Sequence, residues 1–288
     1  MTKETKSPNT DVLVDIGMKS IPIMRTFFRN PEWLKPRKKA DNTTVTACDL
    51  ELDAMAHDIM KNYPDVAVIS EETKASRRSE VEFIVDPLDG TSSFKHQLAG
   101  SVFAAAVTRN GLIERSIVVD ALHWGGPRYF LADSEGTRLF EGVDTDGGRM
   151  PSAPSEWLDP QKLHVSEKSR GTVAFWDWPK SSVPIFPIMD RLKKLGFSFA
   201  QIGSVSHAAA LVAQGEYVGV VFPGKNIWDM APGELLVREA GGTVTDLFGK
   251  PIDYTKLQAD GAIFSNGVVH QDLLDAVQSE IFSSVCSA

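Results

Sequence analysis

The sequence predicts a mixed α/β protein of two lobes: an α+β N-terminal lobe over residues 1–155 and an α/β C-terminal lobe over residues 156–288. Three observations predict it. Helix-spaced apolar stripes at 11–28 and 49–60 frame a series of short apolar runs at 66–69, 83–85, 102–107 and 113–119. Beyond residue 173, apolar runs and helical spacing alternate, as in an α/β lobe. Residues 141–160 lie between, rich in Gly, Asp, Pro and Ser, and read as surface loops and the lobe boundary.

Taken in order, the first helix carries Val12, Leu13, Ile16, Ile23, Met24, Phe27 and Phe28, with a kink expected at Pro22 and an end at Asn30-Pro31. The basic run Lys35, Arg37, Lys38, Lys39 reads as a solvated loop. Residues 43–46 read as a strand. Asp49 is placed as the cap of a helix carrying Leu52, Met55, Ile59 and Met60. The strand at 66–69 runs into Ser70-Glu71-Glu72-Thr73, and a charged loop at 74–82 follows. Residues 102–107 and 113–119 read as paired strands, with another strand at 124–131. In the second lobe, strands are expected at 173–175, 197–202, 217–222, 243–247 and 262–264. Helices are expected at 185–195, 205–213, 230–240 and 270–282, the third closed by Gly241-Gly242.

Composition narrows the function. With 42% hydrophobic and 24% charged residues, the 288-residue chain is an ordinary globular protein. A net charge of −8 argues against a nucleic-acid polymer as partner, which needs a basic face. It leaves room for a small phosphorylated metabolite, because bound metal ions bring local positive charge. Cys48 and Cys286 stand far apart and are not expected to pair; Cys48 reads as a packed small apolar residue. The first ten residues are polar and lack a signal-peptide core, and no apolar stretch is long enough for a membrane span. The expected location is cytoplasmic.

The chemistry centres on residues 83–91. Phe83, Ile84 and Val85 lead a buried strand into Asp86-Pro87-Leu88-Asp89-Gly90-Thr91. Pro87 fixes its own φ and restricts Asp86, so two carboxylates three residues apart are held with little backbone freedom. Two such anions raise each other's pKa unless a cation sits between them, and the simplest is a hard divalent ion such as Mg²⁺. An Asp-Gly turn with no function is the plain alternative. Glu71 also follows a strand, and Asp229 stands at the start of a helix after another, where an N-cap is its plain reading. Convergence of Glu71, Asp86, Asp89 and Asp229 would give a cluster too anionic to persist without metal. No Ser or Cys nucleophile stands out: Ser206-His207 has no triad context, and His207 is expected to be packed.

Here the chain resembles the inositol monophosphatase family, lithium-sensitive, Mg²⁺-dependent phosphatases related to fructose 1,6-bisphosphatase. One motif is D-P-x-D-G-T, present as DPLDGT at 86–91 and followed by Phe94; the other is present as WDMAPGELLVREAGG at 228–242. Glu71-Glu72 and the V-T-x-x-D segment at 45–49 match in order and spacing, and the family lysine upstream is placed at Lys39 rather than Lys38. The resemblance implies a layered αβαβα sandwich with the site between the lobes. It implies two to three Mg²⁺ ions: one held by Glu71, Asp86 and the Leu88 carbonyl, a second by Asp86, Asp89 and Asp229, and a weaker third near Glu71. Gly90, Thr91 and Ser92 would bind phosphate, Asp229 would face the substrate, Thr91 and Glu71 would position and deprotonate water, and Asp49 would fix the Thr91 hydroxyl. Lys225, in the loop at 223–226 beside the site, reads either as reaching a second anionic group on the substrate or as a solvated loop lysine. Such ions clamp the entering and leaving oxygens of an in-line displacement.

The implied reaction is hydrolysis of a small phosphate monoester, inositol-phosphate-like or broad for sugar phosphates. Alternatives are a 3′-phosphoadenosine 5′-phosphate phosphatase, with which NIWD at 226–229 and GKPIDY at 249–254 share features, then a histidinol phosphatase. A metal-binding regulatory scaffold is the non-enzyme alternative; it would be expected to lack a site acid, and none is missing. The sequence departs from inositol-preferring members at Phe222, where they carry a glutamate that contacts the sugar hydroxyls. Pro232 is unusual after Ala231, but proline is tolerated in a helix's first turn. A homodimer is compatible with the family.

Overall fold

The computed structural model describes residues 5–40, 42–73, 77–142, 157–176 and 183–286, with side chains at 283–286 left aside. Helix α1 (Thr10–Arg29) opens the fold; Asn9 caps it by accepting the Val12 N–H at 3.2 Å. It continues as one α-helix through Pro22. Pro22 is exposed while Ile21 and Met24 are buried, so water can satisfy the carbonyl that proline leaves without a donor. The basic run is partly a strand: β1 (Arg37–Lys38) pairs antiparallel with β2 (Thr44–Val45). Helix α2 (Ala47–Met60) begins one turn earlier than expected. Thr46 is its cap, and Asp49, three residues on, accepts the Thr46 N–H at 2.9 Å.

A seven-stranded sheet forms the first β layer. In spatial order it contains β3 (Ala67–Ser70), β4 (Val81–Asp89), β5 (Val102–Arg109), β6 (Leu112–Asp120), β7 (Arg128–Asp133), β8 (Gly136–Glu141) and β9 (Gln161–Lys162). Only the β3–β4 pair is parallel. Strand β8 is not among the expected strands; its turn from β7 uses Gly136 at φ 103°. The boundary expected at 155/156 lies outside the described residues, and the sheet takes its last short strand from beyond it. Between β4 and β5 sits the short helix α3 (Thr91–Lys95).

The second sheet holds β10 (Thr172–Phe175), β11 (Ser198–Ala200), β12 (Gly219–Phe222), β13 (Thr243–Thr245) and β14 (Ala262–Ser265), in the order β11-β10-β12-β14-β13. Its helices are α4 (Ile185–Lys194), α5 (Val205–Ala213), α6 (Ala231–Glu239) and α7 (His270–Cys286). Strands β10, β11 and β12 are parallel, as strand–helix alternation implies; β14 is antiparallel to both its neighbours.

Three apolar clusters fix the layering. Leu13, Ile16 and Met24 of α1 and Leu52 of α2 pack on Phe83, Val85, Phe103 and Ile117 of the large sheet. The opposite face, with Ile84, Ala104 and Val118, packs on α5 and α6, which in turn cover Val220 and Phe264 of the small sheet. Ile188 and Leu192 of α4 and Leu273 and Val277 of α7 cover the outer face through Val173 and Val221. The order is therefore αβαβα, as the resemblance implies. Gly17 lets α1 lie close on β6: a Cβ there would stand 2.7 Å from Ile117 Cδ1. Among the described residues no helix is long and apolar enough to cross a membrane.

Candidate active site

Strand β4 is buried along its whole length. Asp86 pairs with Ala104 and Asp89 with Val102, so three steps along β4 match two along β5. That is a bulge, and Pro87 lies in it, where a residue without an N–H costs the ladder nothing. A regular strand would send Asp86 and Asp89 to opposite faces; the bulge brings both toward one place. Asp86 Oδ1 then accepts the Leu88 N–H at 3.1 Å.

Gly90 turns the chain at φ 97° into α3. A Cβ on Gly90 would stand 3.0 Å from the Gly203 backbone, and one on Gly203 would stand 2.6 Å from Ser93 Oγ. The turn from β4 into α3 and the segment leading into α5 thus meet at paired glycines. The contact delivers α5 to the site: Asp89 Oδ2 accepts the Ser204 hydroxyl at 2.7 Å and the Ser206 N–H at 2.8 Å. Ser204 also caps α5, accepting the His207 N–H at 2.9 Å. Neither serine was singled out as a site residue. A Gly-Ser pair before an alanine-rich helix signals a cap, but not the carboxylate it meets across the fold.

The Thr91 hydroxyl stands 2.8 Å from Asp49 Oδ1 and 3.0 Å from the Leu88 carbonyl. It has one proton, so it donates to one of them at a time. Burial pushes Asp49 up to about 6, partly offset by its bonds from Thr46 and Thr91. Glu71 and Glu72 follow β3, and Lys39 Nζ lies 2.7 Å from a carboxylate oxygen of each. Burial works against the Lys39 charge, but the two glutamates outweigh it and hold its pKa above the ordinary value. Glu72 is pushed to about 7, by burial first and then by Glu71.

Asp229 ends a 3-10 turn (Ile227–Asp229) just before α6, where Pro232 is accommodated in the first helical turn. Burial, then the charges of Asp89 and Glu71, hold its pKa well above the ordinary range. Asp86, 1% exposed, is raised likewise by burial, then by Glu71, Asp89 and Asp229. Burial pushes Asp89 to about 6 against its bonds from Ser204 and Ser206. The four acids singled out from sequence therefore converge. They do not form a finished cage: among the described residues no three His, Cys, Asp or Glu side chains are set to grip an ion as they stand. One buried oxygen, Asp229 Oδ2, has no hydrogen-bond partner. Several carboxylates that burial and mutual repulsion hold toward protonation, one with a bare oxygen, are a donor set that fits a hard divalent cation.

The remaining expected residues divide. Ser92 is exposed on α3, and Lys225 is exposed in the loop after β12. Phe222 is fully buried, edge-on to Trp176 at 6.2 Å between centroids, and a Cβ on Gly224 would stand 2.1 Å from its ring. The position where inositol-preferring members carry a glutamate is thus an apolar plug. His207 is buried as expected, with Nε2 3.3 Å from an Arg128 guanidinium nitrogen and 3.6 Å from Asp120 Oδ2. In GKPIDY, Tyr254 donates to Glu234 of α6 at 2.7 Å, so the segment braces that helix as well as making a turn. Cys48 is buried and free.

A five-layer α/β sandwich with carboxylates gathered at the ends of β3 and β4 and before α6 defines a class of metal-dependent phosphatases. Residues 6–281 match the model of the inositol monophosphatase family, and the chain belongs to that family of phosphoric monoester hydrolases. It is 27% identical over 252 residues to Nus factor SuhB of Pasteurella multocida (strain Pm70), covering 84% of this chain and 86% of that protein. It is also 27% identical over 253 residues to a fructose-1,6-bisphosphatase/inositol-1-monophosphatase of Thermotoga maritima, covering 85% and 86%. The fold matches the solved Thermotoga maritima IMPase with a TM-score of 0.74 at 24% identity, covering 96% of this chain and 98% of that one.

Proposed function

We propose that the protein is a Mg²⁺-dependent phosphomonoesterase acting on a small soluble phosphate ester, inositol-monophosphatase-like or broad for sugar phosphates. The observation that carries this reading is the buried convergence of Asp86, Asp89 and Asp229 beside Glu71, with Asp229 Oδ2 bare. Glu71, Asp86, the Leu88 carbonyl, Asp89 and Asp229 hold two to three ions. Bound there, the ions supply charge neutralisation for the phosphoryl group and a lower pKa for water.

The chain's own residues do the rest. Asp49 and the Leu88 carbonyl hold the Thr91 hydroxyl in place, and Thr91 with Glu71 orients the attacking water and takes its proton. The N–H groups of Gly90, Thr91 and Ser92, at a helix start with no partner inside the helix, receive phosphate oxygens. Lys39 fixes Glu71, and Ser204 and the Ser206 N–H fix Asp89. Asp229 and Lys225 face the substrate's leaving side.

Phe222 offers no hydrogen bond to a polyol, which supports breadth over strict inositol preference and keeps a 3′(2′),5′-bisphosphate nucleotide as the next reading. The presence of every site acid favours catalysis over a scaffold role. We place the protein in the cytoplasm, with lithium inhibiting and a homodimer compatible with the fold. The test is phosphate release from inositol 1-phosphate, 3′-phosphoadenosine 5′-phosphate, fructose 1,6-bisphosphate and histidinol phosphate, with Mg²⁺ and with chelator. Release from at least one substrate, abolished by chelator, is expected; no Mg²⁺-dependent release from any would overturn the reading.

A further inference from the structure

Two cavities outside the carboxylate cluster differ in charge. One, between α4 and α7, is lined by Asp190, Asp272, Asp275 and Glu280 as well as Arg191 and Lys194, and so selects no sign of charge. The other, of about 430 Å³, is lined by Arg37, Lys38, Lys95 and His96 over a floor that includes buried Leu34, with no carboxylate among the described residues of its wall. Its size is that of a small-molecule pocket, for which roughly 300–1,000 Å³ is usual. In a chain of net charge −8, Arg37, Lys38, Lys95 and His96 all line one concavity. Like charges held together repel, so the arrangement is stabilised by an anion.

Among the described residues none of these cations has a carboxylate partner; Lys38 Nζ donates only to the Asn42 carbonyl, at 3.0 Å. Lys39 is turned the other way, onto Glu71 and Glu72. The cleft is also next to the phosphate end of the candidate site. Lys95 follows Thr91 by four residues on α3, one turn and about 6 Å along the same face.

We propose that this cleft is a second anion site, built for a phosphate group, which Arg37, Lys38 and Lys95 grip through charge-assisted hydrogen bonds. The phosphate is either the distal group of a doubly phosphorylated substrate whose other phosphate is hydrolysed, or free inorganic phosphate. The first case rests on the phosphatase reading; the second does not.

The experiment has two arms, each run on the wild type and on an Arg37→Gln/Lys95→Gln double variant, neither residue belonging to the hydrolytic machinery. The first compares kcat/KM for matched pairs: fructose 1,6-bisphosphate with fructose 1-phosphate, and 3′-phosphoadenosine 5′-phosphate with adenosine 3′-phosphate. For at least one pair, the double variant loses about tenfold on the bisphosphate and under about twofold on the monophosphate, the effect of losing charge-assisted bonds. An Arg37→Lys/Lys95→Arg double variant, which keeps both charges, retains most of the wild-type selectivity. The second arm titrates inorganic phosphate calorimetrically into chelator-treated protein; saturable binding is expected in the wild type, weaker in the variant and at high salt.

Bisphosphate selectivity assigns the cleft to substrate. Phosphate binding without selectivity assigns it to free phosphate, and phosphate binding with no hydrolysis of any ester sinks the phosphatase reading alone. Equal losses on both members of each pair, or no change, together with no phosphate binding that depends on Arg37 and Lys95, overturns the proposal.

Discussion

Two groups of charged side chains are packed between the large sheet and the elements that cover it, and they are balanced in different ways. Asp120, Arg128 and His207 form the first. Arg128 Nε donates to Asp120 Oδ2 at 3.1 Å, and His207 faces both. Its charges cancel within the chain. The second gathers the carboxylates of Asp49, Glu71, Glu72, Asp86, Asp89 and Asp229; among the described residues Lys39 is paired with Glu71 and Glu72, and the buried aspartates have no such ammonium. Desolvating a charge is expensive unless it is paired. The first group shows that this fold supplies a buried arginine where a carboxylate needs one. The second shows the fold withholding it, which leaves the counter-charge to come from outside.

The sharpest way to break the contrast is to remove one acid from the unbalanced group. Asp89→Asn keeps the size of the side chain while removing the charge, and it relieves repulsion on Asp86 and Asp229. Turnover is expected to fall by roughly three orders of magnitude, or about 4 kcal/mol, because a catalytic ion contributes several kcal/mol at the transition state. The melting temperature should stay the same or rise. Unchanged kcat in a phosphate-release assay would remove Asp89 from the site.

The same cut made in the balanced group should do the opposite. Arg128→Ala leaves Asp120 buried without its arginine and is expected to destabilise the fold by about 3 kcal/mol, the low end for a broken buried pair. The low end applies because His207 remains beside Asp120. In the wild type, burial and Arg128 hold the His207 pKa down against the pull of Asp120. Without Arg128 the pull of Asp120 raises the imidazole pKa above its unfolded value near 6.5, so the denaturant midpoint of the variant should recover as pH falls toward about 6.5, with the gain complete below that and lost at higher pH.

Metal and pH sharpen the contrast further. In the folded protein Asp86, Asp89 and Asp229 have pKa values raised above those of the unfolded chain, Asp89 to about 6. The native state therefore holds protons that the unfolded state has released. The stability this contributes is complete below the ordinary carboxylate range, near 4, and is lost as pH rises through the folded values. A divalent cation favours the ionised form and removes the penalty. Thermal melts with Mg²⁺ and with chelator should differ by about 2.7 kcal/mol at a hundredfold excess over Kd. The difference should be larger at pH 8 than at pH 5.5, and taking it at each pH cancels the His207 contribution. An equal effect at both pH values would mean that the cation binds elsewhere.

How much of this was legible from sequence follows from the range of each interaction. The strand through Val85 into Asp86 and Asp89 is an apolar run ending in acid, and that local pattern survives folding unchanged. Helix α5 matches its alanine-rich segment end to end. Asp49 was misplaced as a cap because Thr46, three residues earlier, is the better cap and takes Asp49 into its own hydrogen bond. The ion pair of Lys39 with Glu71 spans 32 residues and the Ser204–Asp89 bond spans 115, and no window along the chain holds both ends. Order and spacing of motifs placed Lys39 and Glu71 in one family pattern without pairing them; both bonds came only with the fold.

That second bond gives the smallest and most discriminating prediction. Asp89 could be aimed by its own bulged strand alone, or by the second lobe through Ser204. Ser204→Ala removes the 2.7 Å hydroxyl bond but leaves the Ser206 N–H on the same oxygen. It also removes the cap of α5, which costs about 1 kcal/mol of stability whatever the role of Asp89. A capping role alone predicts a lower melting temperature, normal kcat and normal Mg²⁺ dependence. A positioning role predicts, in addition, about a tenfold rise in the Mg²⁺ concentration needed for half-maximal rate, the effect of losing a hydrogen bond that orients a metal ligand. Ser204→Thr, which keeps the hydroxyl, should restore the metal dependence. Loss of stability with an unaltered Mg²⁺ titration would show that the second lobe only closes over Asp89 and does not aim it.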